Sequence, residues 1–173
     1  MRTPAPLWSV AAQHSNSSTL FSGGETLEFQ VAGEGDIPPH QGVVTAPSQV
    51  TVADLGIGSV AVDRTAPLVI EWTGGSAGQV VVVLAVQESA GGQPLRSLVA
   101  QCEFDASAGS GAIPTDVLEL FPPPSPPEVV GNLNVSVAAR TVVEAGDYLV
   151  SFVARTVGVN SNGVLAGNEA DIF

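Results

Sequence analysis

Residues 71–83 read EWTGGSAGQVVVV, and Gly74, Gly75, Ser76, Ala77 and Gly78 within them match the G-x-S-x-G pattern that presents a nucleophilic serine in many hydrolases. The flanking residues decide between that chemistry and a turn. A nucleophile elbow needs a strand before the serine and a helix after it, because the sharp strand-to-helix bend exposes the hydroxyl beside helix-terminal amides. Here Leu68, Ile70 and Trp72 alternate with Val69, Glu71 and Thr73 before the glycines, and a second strand-like run, Val80 to Val86, follows them. The chain order also fails, since His14 and His40 both precede Ser76, whereas that hydrolase family places its histidine last. Ser76 therefore reads as a turn residue, and GGSAG as the loop of a β-hairpin.

The same two-residue alternation recurs on both sides of this stretch, as expected for strands with one face in a core. It runs through ETLEFQV (Leu27, Phe29, Val31), LVAQCEF (Leu98, Ala100, Cys102, Phe104), LNVSVAA (Leu133, Val135, Val137, Ala139) and YLVSFVA (Tyr148, Val150, Phe152, Ala154). Weaker strands are expected at 43–45, 49–53 and 59–62. The run VVVVLAV is apolar on both faces, the mark of a central strand covered twice or of an edge buried by a partner. Thr115 as N-cap, Asp116 in the first turn and Val117, Leu120 and Phe121 at helical spacing predict one short helix near 114–121, ended by PPPSPP. That proline run reads as a rigid crossover loop, with a polyproline ligand as the alternative. Eight or nine short strands separated by Gly, Pro, Asn and Asp clusters predict an all-β protein: a two-sheet antiparallel immunoglobulin-like β-sandwich.

Composition agrees. The chain has 173 residues, enough for one domain with its own core, and it divides into an N-terminal extension over 1–18, a single sandwich over 19–160 and a tail over 161–173. Hydrophobic residues make up 45% and charged residues only 13%, with 19 Gly and 13 Pro, which favours turns over long helices. Seventeen acidic residues stand against five basic ones, all arginine (Arg2, Arg64, Arg96, Arg140, Arg155), for a net charge of −12. Five scattered arginines make no basic face, which argues against nucleic acid and anionic membrane surfaces as partners. The acidity reads as a solubility device, with a cation-binding or basic-partner patch as the alternative. ARTV occurs twice, ending at Val142 and Val157, and reads as two similar strand ends.

Candidate chemistry is sparse. Cys102 is the single cysteine, so no internal disulfide forms, and its place in the LVAQCEF alternation predicts a small buried core side chain. Gly56, Gly58 and Ala61 imitate a dinucleotide fingerprint without its helix. Two isolated histidines and one cysteine are too few for zinc. Calcium has a weak case in loop acids Glu34, Asp36, Asp54, Asp63, Asp105 and Asp147, none at the spacing of a known calcium loop. A carbohydrate platform has only Trp8, Phe21 and Phe173 free to stack on sugar. The Asn16 and Asn134 sequons read as chance matches. No residue is assigned a catalytic, cofactor-binding or metal-binding role, and no cofactor is expected.

Two resemblances bear on fold and location. Gly146-Asp147-Tyr148 before an alternating strand resembles the tyrosine corner of immunoglobulin and fibronectin type III domains, although Val150 stands where that family has a cysteine. Over its length, with its Ala46-Pro47 step, IEWT and CEF strands and IP-led helical turn, the chain resembles uncharacterised exported β-sandwich domains of high-GC bacteria. That resemblance implies export, with the signal absent from these residues, and carries no activity. No run reaches membrane-spanning length. The resulting expectation is a non-catalytic extracytoplasmic structural or protein-interaction module of the cell envelope or an extracellular assembly, with a protein partner or self-association. The alternative is a small-ligand module binding sugar or calcium. The Gly-rich tail, 160–173, reads as a disordered end, with docking of Ile172 and Phe173 into a neighbour as the alternative.

Overall fold

The computed structural model describes residues 21–53, 60–90, 93–123, 129–160 and 167–172. It is an all-β sandwich. Twelve strands follow in order: β1 (Thr26–Val31), β2 (His40–Thr45), β3 (Val50–Val52), β4 (Val60–Val62), β5 (Leu68–Gly74), β6 (Gln79–Ala90), β7 (Gln93–Asp105), β8 (Ser110–Ile113), β9 (Val129–Ala145), β10 (Tyr148–Val157), β11 (Val159–Asn160) and β12 (Gly167–Ile172). Among the described residues the one α-helix, α1 (Thr115–Leu118), lies between β8 and β9.

One layer is a six-stranded sheet ordered β4-β12-β9-β6-β7, with β10 beside the second half of β9. The facing sheet has the order β11-β3-β5-β8, and β1 and β2 form a separate ribbon. Pairing is antiparallel throughout, except that β12 runs parallel to β4 and β11 parallel to β3. The core lies between the layers. Val80, Val82, Leu84 and Val86 of β6 and Leu133, Val135 and Val137 of β9 meet Val50, Val52, Ile70, Trp72 and Ile113 of the second sheet. Period-two alternation of β-branched residues suits such strands, because each pleat sends one side chain inward and the next outward.

Every strand expected from alternation is present, and the surrounding topology corrects several readings. The GGSAG segment is not a hairpin loop: β5 pairs with β3 and β8, whereas β6 pairs with β7 and β9, so the segment crosses from one sheet to the other. Gly74, Gly75 and Gly78 all take positive φ there. The second crossing, the 3₁₀ turn Ala106–Ala108 between β7 and β8, is tied to the first. The Ala106 amide donates to the Gly78 carbonyl at 3.1 Å, and the Trp72 indole donates to the Ala106 carbonyl at 2.8 Å. A glycine-rich segment is what lets these two crossings touch.

Tyr148 opens the return strand of a hairpin, since Ala145 and Tyr148 are directly paired across Gly146 and Asp147. It is therefore not at an inter-sheet corner. Thr115 is the first helical residue and not the cap, a position held by Pro114 without a side-chain bond. The helix is a single turn, so Leu118 and Phe121 plug the core while Leu120, 73% exposed, points out. Residues 167–172, read as part of a tail, form β12 between β9 and β4. Cys102 faces inward opposite Val82, but β7 is an edge of its sheet and the thiol is half-buried. Residues 124–127 of the proline run lie outside the described residues.

Candidate functional site

The inward face of the six-stranded sheet makes the core, and its outward face is the candidate site. Register fixes which side chains share that face. Glu103, Val81, Ser136 and Val157 form one row across β7, β6, β9 and β10, and Asp105, Gln79, Ala138 and Arg155 form the next. Arg140 lies one row further along, opposite Val153. Val81, Ala138 and Val153 floor an open groove of about 170 Å³, walled by Gln101 and Glu103 of β7 on one side and by Arg140 and Arg155 on the other.

The groove explains the doubly apolar VVVVLAV run. Its inward residues fill the core. Among its outward residues Val81 is only 2% exposed, covered by the longer side chains around it, while Val83 and Ala85 are half-buried. Among the described residues ten large apolar side chains are exposed, and register places five of them on this outward face: Val99 on β7, Val142 on β9, and Leu149, Val153 and Val157 on β10. Leu149 and Val99 are 74% and 65% exposed. An apolar patch with a polar rim is the composition of a contact surface.

Electrostatics single out the same place. Among the described residues the one ion pair joins Arg96 to Glu88, and Arg64 donates to the Glu119 carbonyl at 2.9 Å. Arg140 and Arg155 have no ion-pair partner among the described residues. They are diagonal neighbours on β9 and β10, each two residues from the other's cross-strand partner, a separation of about 7–8 Å. Glu103, across the groove, accepts from the Gln101 amide at 2.9 Å. The duplicated ARTV carried this signal, but only the hairpin register shows that both arginines face one way.

The residues weighed for chemistry do not converge. The Ser76 hydroxyl is exposed and lies 3.1 Å from the Ser48 hydroxyl, a pair without a base. The His40 ring is bonded through Nδ1 to the Pro38 carbonyl and packs near Phe152. Asp63 Oδ1 accepts from the amide and hydroxyl of Thr65, and Asp105 Oδ1 from those of Ser107. The hydroxyl bond, then the amide bond, holds each carboxyl below its ordinary range, so both acids serve their own turns. Among the described residues no three His, Cys, Asp or Glu side chains group as metal ligands. Burial raises the Cys102 thiol. Phe21 is half-buried. Asp54, Gly56, Gly58, Trp8, His14, Asn16 and Phe173 lie outside the described residues. No helix of the described residues is long and apolar enough to cross a membrane.

Comparison with known protein families, curated proteins and solved structures gives no match.

Proposed function

We propose that this chain is a non-catalytic, extracytoplasmic β-sandwich module that acts by protein contact through the outward face of its six-stranded sheet. The observation that carries this reading is that five exposed large apolar side chains share one face, four of them on the adjacent strands β9 and β10, beside a groove lined by two arginines with no ion-pair partner among the described residues. Exposed single apolar residues are ordinary on a protein surface, whereas Val142, Leu149, Val153 and Val157 side by side on two paired strands form an apolar stripe of the kind that contact surfaces carry. The extracytoplasmic location rests on the resemblance to exported sandwich domains and on a lysine-free, strongly acidic composition.

Covalent surface footprinting tests it. The purified protein is labelled alone and after mixing with the extracellular and envelope fractions of its source cells. Protection confined to Val99, Val142, Leu149 and Val153 is the expected result. Protection elsewhere, or recovery of the native protein only from the cytoplasm, overturns the reading.

A further inference from the structure

Resting on that reading, we infer that the outward face is self-complementary and that its partner is a second copy of this chain, related by a two-fold axis. The row Asp105–Gln79–Ala138–Arg155 crosses β7, β6, β9 and β10 in that order. It carries an acid at one end and a base at the other. Within one copy these charges are three strand spacings apart, about 14 Å, and form no ion pair.

Now let two copies meet face to face, with the two-fold axis running along the strands between β6 and β9. That operation exchanges β7 with β10 and β6 with β9. Asp105 of each copy then lies opposite Arg155 of the other, and Gln79 opposite Ala138. The neighbouring row places the Val81 floor opposite Ser136. Glu103 adds to the acidic side of the face and Arg140 to the basic side.

Charge density favours the same surface. The chain as a whole carries −12, so most orientations of two copies repel. In the rows that meet, this face sets Glu103 and Asp105 of β7 against Arg155 of β10, with Arg140 beside it on β9, and is close to balanced. Arg155 has no ion-pair partner in its own copy among the described residues and meets Asp105 of the other copy. A two-fold contact closes on itself, so assembly stops at the dimer.

Sedimentation and light scattering over a concentration series test this on the purified protein. The expected mass rises with concentration to twice that of the monomer and no further. Arg155→Glu and Asp105→Arg each weaken association at least ~10-fold, because each places like charges opposite one another. An equimolar mixture of the two variants restores a dimer containing one of each. Asp105→Arg also removes the bond to Ser107, so Asp105→Asn, which keeps an accepting oxygen and removes the charge facing Arg155, replaces it where melting shows damage to the fold. A monomer at all concentrations overturns the two-fold pairing, as does a dimer that Arg155→Glu leaves intact. If such a monomer is still protected on this face by a foreign protein in the footprinting experiment, the contact module stands and only the second copy is lost.

Discussion

The hairpins β6–β7 and β9–β10 follow the same alternating pattern and meet different fates. In β6 the inward residues Val80, Val82, Leu84 and Val86 are buried in the sandwich core, with Phe104 of β7 tilted over Trp72. β9 begins the same way, with Leu133, Val135 and Val137 buried. Its second half continues with β10 and meets the β1–β2 ribbon, where the inward residues Val143, Tyr148, Val150 and Phe152 are only half-buried. Each region places an aromatic ring on a strand glycine. A Cβ on Gly111 would come within 2.4 Å of the Phe104 ring, and one on Gly42 within 2.6 Å of the Phe152 ring. Phe152 also stacks on Phe29 at 4.9 Å. Alternation reports that a strand has a buried face, and the depth of burial depends on what the rest of the chain lays over it.

The largest predicted effect separates these two regions. Leu84→Ala removes a fully buried side chain between the sheets and is expected to destabilise the whole domain by about 2–5 kcal/mol. Phe152→Ala is expected to cost only about 1–2 kcal/mol, since half-burial forfeits part of the apolar transfer energy. Chemical denaturation measures both. Equal losses would merge the two packing centres into one.

Gly42→Ala sharpens the contrast. The added methyl pushes on the Phe152 ring and is expected to cost about 1–3 kcal/mol. Native-state hydrogen exchange should show faster exchange in β1, β2 and β10 while the amides of β6 keep their protection. Uniform acceleration would mean that the ribbon and the sandwich open as one unit.

The smallest effect concerns pH. Asp63 and Asp105 have carboxyls lowered by their Thr65 and Ser107 bonds. Their contribution to stability is therefore complete above the ordinary carboxylate pKa, about 4, and is lost as pH falls through the lower folded-state values. The asparagine variants keep an accepting oxygen but carry no charge to titrate. A slightly smaller fall in Tm between pH 6 and pH 3 is expected for each variant, as measured by calorimetry. An unchanged slope would assign the acid sensitivity to other carboxylates.

How far the sequence was readable follows from these cases. Strands with apolar residues at every second position, such as LVIEW or LNVSV, announce themselves, because one buried face imposes that period. β8 (SGAI) and β12 (GNEADI) have no such run. Their pairing comes from β5, β4 and β9, far away in sequence. The GGSAG turn was readable as a turn, but its glycines serve a sheet-to-sheet crossing as well as they would a hairpin, and only the partners of β5 and β6 distinguish the two. Cys102 was placed on the correct face, whereas its half-exposure depends on β7 being an edge. At the candidate site the two arginines were visible as a repeated ARTV. Their common direction depends on the Ala145–Tyr148 register.

The position of β12 has a consequence in time. Residues 167–172 are made after every other strand described, yet they sit inside the six-stranded sheet, parallel to β4 at residues 60–62 and antiparallel to β9. While synthesis proceeds, β4 has no neighbour on that side, and the sheet stays incomplete until the ribosome has released this segment. Contacts that join residues a hundred positions apart are slow to form, because a large loop must close first. The six-stranded sheet therefore closes only after residues 167–172 are in place, and a chain shortened before residue 167 is left with an unpaired edge ready to join another chain.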